Sequence, residues 1–222
     1  MQKPFNIHSL LDLTKTISFK IFDNKIYPWE VLSHLSSFIF YLGGKLSSDK
    51  YIFYKENIWI AKNSRISELA SINGPTIIDE EAEIRPSAFI RQNSIIGKNV
   101  VVGNSTEIKN SILFDNVQVP HYNYVGDSVL GYKSHLGAGV ILSNVKSDKT
   151  KITVHLGDKN LPTNLKKFGA ILGDFAEIGC NSVLNPGTII GKNSVVYPLC
   201  SVRGFVKEDC IFKSPISIVE KI

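Results

Sequence analysis

Cysteine is scarce in this chain, and what there is falls into no recognisable spacing. Cys180, Cys200 and Cys210 are odd in number and lack any CxxC step, so neither a disulfide framework nor a zinc knuckle is indicated, and reduced thiols are expected. Long apolar runs are missing too. The most apolar early stretch, Val31 to Leu42, holds His34 and three serines and is too short to cross a bilayer, and no charged start with a cleavage site precedes it. The expectation is a cytoplasmic protein with no membrane partner. Clustered charge is lacking as well: Lys and Arg number 25 against 20 Asp and Glu, a net charge of +5, but the lysines are scattered. That distribution suits an anionic small molecule and gives nucleic-acid binding no footing. No Gly-rich nucleotide-binding segment opens the chain.

What the sequence does have is a period of six. Every sixth residue from Ile60 reads Ile60, Ile66, Ile72, Ile78, Ile84, Ile90, Ile96, Val102 and Ile108, an unbroken column of branched aliphatics. Four positions after each comes a mostly small residue: Ser64, Ala70, Thr76, Ala82, Ala88, Ser94, Val100, Thr106 and Ile112. Three such hexapeptides make one coil of a triangular prism, with the aliphatic residue at the centre and the small one near a crowded corner. The pattern returns as Leu172, Ile178, Leu184, Ile190, Val196 and Val202. The fold class expected is therefore an all-β solenoid, a left-handed parallel β-helix of hexapeptide repeats.

Two irregularities interrupt it. The register slips near Phe114 to Tyr124, resumes at Leu130, Leu136 and Leu142, and breaks again from Asn144 to Lys167. Residues that leave a repeat are free to contact ligands, so loop insertions are expected at about 113–125 and 144–167 within a β-helix spanning 58–213, followed by a tail at 214–222. Residues 1–57 do not repeat. Trp29, Leu32, Leu35, Ile39 and Leu42 are spaced by three and four, which predicts an amphipathic helix over Tyr27 to Leu42 in a small N-terminal cap covering the first coil.

The segment Glu107-Ile108-Lys109-Asn110-Ser111, followed by Pro120-His121-Tyr122-Asn123-Tyr124-Val125-Gly126-Asp127-Ser128, Leu136-Gly137-Ala138-Gly139 and Ser143-Asn144, resembles the acetyltransferase half of bifunctional N-acetylglucosamine-1-phosphate uridyltransferases and their archaeal sugar-phosphate relatives. Phe168-Gly169-Ala170-Ile171-Leu172-Gly173-Asp174 resembles the archaeal branch, and the likeness covers roughly Arg85 to Arg203. The resemblance implies acetyl transfer from acetyl-CoA to the amine of a hexosamine 1-phosphate, glucosamine 1-phosphate first and galactosamine 1-phosphate open, by a homotrimer. It places the general base on His121. A neutral imidazole suits an amine that must lose a proton as it attacks a thioester.

The same resemblance assigns acceptor contacts to Lys109, Tyr124 and Asn144, with His135 standing where the family usually has asparagine. Arg91 lies eighteen residues before Lys109, one full coil, so the two should stack about 4.8 Å apart with a phosphate between them. Arg85, which precedes a proline, is the competing arginine. Coenzyme A is expected against the coils from Ala138 to Arg203, at Ala138, Cys180 (a serine position in bacterial members), Pro198 and Lys213, and the amides of Gly137, Ala138 and Gly139 are candidate oxyanion donors. Uridyl transfer is not expected.

Two other classes compete. A zinc hydratase of the carbonic-anhydrase type also uses a left-handed β-helix, and His121, His135 and His155 are available, but no H-x-x-x-x-H pair occurs and no metal is expected. A non-enzymatic scaffold is the reading if Lys109, His121 and Asn144 fail to converge.

Overall fold

The computed structural model describes residues 5–156, 159–214 and 217–220. From Ile58 to Ser214 the chain winds as a left-handed parallel β-helix of about 8 turns whose short strands stack into three sheets. Face A carries Thr76–Ile78, Ser94–Ile96 and Ser111–Leu113; face B carries Glu83–Ile84, Val101–Asn104 and Gln118–His121; face C carries Phe89–Ile90, Glu107–Lys109 and Tyr124–Gly126. The chain passes from A to B to C. Register pairs keep the aliphatic columns aligned, Ile60 over Ile78 over Ile96 on face A and Ile84 over Val102 over Val119 on face B. These side chains are the core.

Face A differs from the others in being apolar on both sides. The residue before each core aliphatic points outward, because side chains alternate along a strand. On face B those residues include Arg65, Gln118 and Glu177, and on face C Ser71, Phe89 and Ser201, all exposed. On face A six of them, Ile77, Ile95, Ile112, Val129, Ile171 and Ile189, are at 0% exposure, with half-buried Trp59 and Phe205 at the two ends of the column. The N-terminal segment covers them. Phe5 lies edge-on to Phe205, the Asp174 amide donates to the Leu10 carbonyl at 2.9 Å, Phe22 meets Phe114, Trp29 meets Phe168, and the helix Leu35–Gly43 packs on Thr76–Ile78 and Ser94–Ile96. Gly43 lies so close to the Trp59 indole that a Cβ there would stand 2.5 Å from the ring.

The helical N-terminal segment is thus a strap along face A and not a lid on the first coil. The open edge of that coil is covered by the strand Tyr51–Lys55, which pairs antiparallel with Ile58–Ala61. The expected helix over Tyr27 to Leu42 is divided into a 3-10 turn at Pro28–Val31 and the α-helix Leu35–Gly43. The break lets Trp29 stack on Tyr27 and lie against Phe168 while Leu35 and Ile39 are buried with the α-helix that packs on the earlier coils. At the other end Ser217–Glu220, expected as tail, pairs antiparallel with Cys210–Ser214 and covers the last coil.

The segment 113–125 is not an inserted loop. Ile96 pairs with Leu113 and Leu113 with Leu130, steps of seventeen instead of eighteen, so each of two coils is one residue short. The missing residues fall between Ile108 and Leu113 and between Val125 and Leu130, two corners stacked where face C turns into face A. The chain stays in the coil because a corner absorbs the loss, with Asn110 (φ 47°) and Asp127 (φ 50°) in the left-handed region that Asn and Asp tolerate. The second irregularity is a true insertion. It leaves the coil after Leu142 at the same corner and forms a hairpin of Thr153–Leu156 and Lys159–Pro162 that buries Ile152 and Val154 before Ala170–Leu172 resumes face A.

Two tests follow from this architecture. Ile95→Ala, beneath the strap, should cost about 2–5 kcal/mol, the usual price of emptying a buried aliphatic site. Val101→Ala, the half-buried outward position on face B, should cost about 1 kcal/mol or less. Urea titrations giving equal losses would show that the strap does not bury face A.

The second test concerns pH. At the corner between faces A and B, burial pushes the Asp115 carboxyl from 3.8 up to about 6 against the pull of the Lys98 amide, and the nearby Asp79 charge adds to the rise. The native state therefore keeps this proton at pH values where the unfolded chain has lost it, so the group's contribution weakens as pH rises from about 4 to about 6. Asp115→Asn should remove that component. The melting-temperature difference between variant and wild type should grow in the variant's favour across this window and level off above it.

Candidate active site

The sequence-predicted residues gather at two edges of the prism that bound face C. At the corner between C and A stand Lys109, Tyr124 and Asn144. Lys109 and Asn144 share a partner in Asp127, 4% exposed, whose Oδ2 accepts from Lys109 Nζ at 3.3 Å and from Asn144 Nδ2 at 2.5 Å. Its Oδ1 accepts from Asn110 Nδ2 at 2.8 Å, and Asn110 also reaches the Leu32 carbonyl of the strap at 3.4 Å. Asn144 Nδ2 donates in addition to Tyr124 Oη at 3.2 Å. Burial, with the Asp127 charge beside it, raises the Tyr124 phenol above its ordinary value, so it remains a neutral O–H. The tightened corners create this arrangement. The second brings Asp127 of one coil under Lys109 of the coil before, its amide donating to the Lys109 carbonyl at 2.9 Å.

Arg91 follows Ile90, which pairs with Ile108, so it stacks beside Lys109 as the eighteen-residue spacing predicts. Neither cation is uncommitted, however: Arg91 Nη1 donates to Glu107 Oε1 at 3.0 Å, as Lys109 does to Asp127. A phosphate between the two, as expected from the stacking, would meet two ion pairs. Arg85 lies on face B, bound to Glu83 at 2.7 Å, away from Lys109.

His121 stands at the other edge, where B turns into C, at the end of the strand Gln118–His121. This corner keeps the regular six-residue step from Val119 to Val125, so His121 does not lie in the slipped register. Its side chain is exposed, and its carbonyl accepts from the Gly139 amide at 3.0 Å. The coenzyme candidates continue the same edge coil by coil. The Asn181 amide donates to the Ala138 carbonyl at 2.8 Å and the Leu199 amide to the Cys180 carbonyl at 2.9 Å, so His121, Ala138, Cys180 and Pro198 form a column. Lys213 closes it, its ammonium 5.6 Å from the Tyr197 ring. Cys180, Pro198 and Lys213 are exposed. A Cβ on Gly137 would stand 2.9 Å from Cys180 Sγ, so this column permits no side chain there.

Of the three candidate oxyanion amides, two are spent. Gly137 N donates to the Ile178 carbonyl at 2.7 Å and Gly139 N to His121; among the described residues only the Ala138 amide lacks a partner. His135 joins neither edge. It lies on face B between Gln118 and Glu177, lining a shallow polar pocket of about 360 Å³ with Asn116 and Lys133. His155 sits in the hairpin, its Nδ1 2.7 Å from Asn160 Oδ1. Within one chain the three histidines lie apart, and among the described residues no three His, Cys, Asp or Glu side chains form a group that could hold a metal. Sequence reasoning missed Asp127, Asn110 and Glu107. All three stand in the quoted strings, and the signal for Asp127 and Asn110 was the local one of Asn and Asp at short turns.

Residues 72–160 match the GMPPB C-terminal domain family. The bifunctional protein GlmU of Methanococcus maripaludis is 35% identical over 214 residues, covering 88% of this chain and 48% of that protein. A bifunctional sugar-1-phosphate nucleotidylyltransferase/acetyltransferase of Sulfurisphaera tokodaii is 31% identical over 162 residues, covering 64% of this chain and 40% of its own length. A hexapeptide transferase family protein from Anaplasma phagocytophilum superposes with a TM-score of 0.42 at 15% identity, covering 74% of this chain and 80% of the other. The fold is a hexapeptide-repeat β-helix, and the sequence likeness is to GlmU and to a sugar-1-phosphate nucleotidylyltransferase/acetyltransferase. The chain is similar to proteins of GlmU type over most of its own length. It spans about half the length of the curated relatives it matches.

The two ion pairs at the C–A edge differ in burial, and this sets their weight. Lys109 is 14% exposed and Asp127 5%, whereas Arg91 and Glu107 are 38% and 34% exposed. Lys109→Met should cost about 3 kcal/mol or more, because it strands a buried carboxylate. Arg91→Met should cost no more than about 1 kcal/mol. Chemical denaturation of both variants checks the ordering.

Proposed function

We propose that this domain transfers the acetyl group of acetyl-CoA to the amine of a hexosamine 1-phosphate, with glucosamine 1-phosphate the first choice and galactosamine 1-phosphate the second. The observation that carries the reading is the edge column, which sets the candidate base His121 in line with Ala138, Cys180, Pro198 and Lys213. A coenzyme laid along that edge would bring its thioester to the imidazole and to the free amide of Ala138. His121 would take the amine's proton as nitrogen attacks the carbonyl, and the Ala138 amide would donate to the oxyanion that forms. The likeness to the Sulfurisphaera relative, a sugar-1-phosphate nucleotidylyltransferase/acetyltransferase, supports both the acetyl transfer and the acceptor class.

The acceptor residues occupy the opposite edge of face C, so a single chain offers two half-sites. A homotrimer that sets the C–A edge of one copy against the B–C edge of the next would complete three sites between subunits. His135, outward on face B, would then reach the acceptor only across such an interface. Uridyl transfer lies outside what these residues perform. Three cysteines without disulfides fit a cytoplasmic setting, and among the described residues no helix is long and apolar enough to cross a membrane.

The decisive assay follows thiol release from acetyl-CoA with glucosamine 1-phosphate, galactosamine 1-phosphate, free glucosamine and a nucleotide-linked amino sugar. Turnover is expected with a hexosamine 1-phosphate; turnover confined to the nucleotide-linked sugar, or none, overturns the assignment. His121→Ala should lower kcat about a hundredfold to ten-thousandfold, the usual worth of a general base, while acetyl-CoA affinity stays near wild type. Initial velocities should follow a sequential pattern, and mass spectrometry should find no acetylated cysteine. An acetyl-enzyme would move the chemistry to a thiol.

A further inference from the structure

We propose that Asp127 is the positioning residue of the acceptor site, a reading that rests on the acetyl-transfer function above. Its buried carboxylate orients the Lys109 ammonium and the Asn144 side-chain amide, and through Asn144 the Tyr124 hydroxyl, into one fixed pattern of donors and acceptors.

Counting hydrogens fixes the pattern. Asn144 Nδ2 has two N–H groups, and both are used, one on Asp127 Oδ2 at 2.5 Å and one on Tyr124 Oη at 3.2 Å. Reversing the amide would place its carbonyl oxygen against the Asp127 carboxylate, which like partial charges forbid. Asn144 Oδ1 is therefore left to accept. Tyr124 Oη already accepts from Asn144, and its phenol stays protonated, so its own O–H is left to donate. Lys109 gives one N–H to Asp127 and keeps two. The edge thus offers an acceptor flanked by two donors. That pattern suits a ligand with an N–H or O–H group beside electron-rich oxygens, as an amino sugar phosphate has.

Asp127 also neutralises Lys109, so it works against simple anion capture. Were the site only a sink for negative charge, a carboxylate 3.3 Å from its lysine would weaken it. Its retention on an axis that also holds Asn144 and Asn110 points to geometry as its role. Asn110 fixes the carboxylate from behind, through Oδ1, and itself leans on the Leu32 carbonyl of the strap.

Asp127→Asn tests this, because one of its two acceptors becomes a donor: set at the Oδ2 position it faces Lys109 and Asn144, and set at the Oδ1 position it faces the Asn110 amide that holds the group from behind. Expected are a rise of at least tenfold in KM for the hexosamine 1-phosphate, an unchanged KM for acetyl-CoA, and inhibition by inorganic phosphate that is unchanged or stronger, since Lys109 is no longer neutralised. Loss of structure alone would weaken phosphate, acceptor and coenzyme together, and that result overturns the proposal, as does an acceptor KM within twofold of wild type. If Asp127→Asn does not fold, Asn110→Gly, which keeps the left-handed turn and removes the rear tether together with its bond to Leu32, should raise the acceptor KM several-fold with the coenzyme KM unchanged; no change overturns the proposal. Wild-type protein that turns over no amino-sugar phosphate defeats the acetyl-transfer reading and this one with it, whereas an active wild type with an indifferent Asp127→Asn defeats this one alone.

Discussion

The structure depends on the burial of one column of side chains that a β-helix would ordinarily leave in water. A hexapeptide prism needs only its inward aliphatics to close, and faces B and C meet that minimum. Face A adds Ile77, Ile95, Ile112, Val129, Ile171 and Ile189 on the outside. Left exposed, each would forfeit about 1.5–3 kcal/mol of burial and together they would form a large apolar patch. The N-terminal strap is the answer to that column, and it makes the prism and its first fifty residues one cooperative unit. The half-site at the C–A edge inherits the arrangement, since Asn110 is hydrogen-bonded to the strap at Leu32.

Departures from the repeat are confined to one corner. Three coils are shortened between faces C and A, two by one residue and the coil that ends at Val206 by two, and another opens there into the hairpin insertion. A regular corner would hold Lys109, Asp127 and Asn144 at equal spacing on the surface. Tightening brings the carboxylate beneath the lysine and delivers Asn144 to it from the start of the insertion. The opposite edge, bearing His121, remains regular, as befits a straight rail for an extended coenzyme.

The period of six made the prism legible, because a column such as Ile60 to Ile108 admits no other fold. The insertion at Asn144 to Lys167 was equally plain. The slip near Phe114 was seen and misplaced: counting aliphatics locates a missing residue only to within a hexapeptide, and Ile112-Leu113 and Val129-Leu130 each supply two acceptable aliphatics in succession. Those same doublets, Ile77-Ile78, Ile95-Ile96 and Ile189-Ile190 among them, recur on every third hexapeptide and were the signal for a covered third face. Lys109, Tyr124 and Asn144 were found through motif likeness and meet at Asp127, while His135 and His121 stand on other parts of the prism. No pattern in one chain could have shown that separation, because it comes from which face each hexapeptide occupies.

The strap has a further implication as a measure of length. A solenoid is in principle extensible, since one coil presents to the next the same surface that it received. Here the strap runs beside the stack from Phe205 to Trp59, meeting particular coils at Asp174, Phe114 and Asn110 on the way. It acts as a ruler. Duplicating or deleting a coil would leave the prism internally sound yet out of step with its own gauge. In this protein, repeat number is therefore fixed by a segment that contains no repeats, and the domain can change size in evolution only if both parts change together.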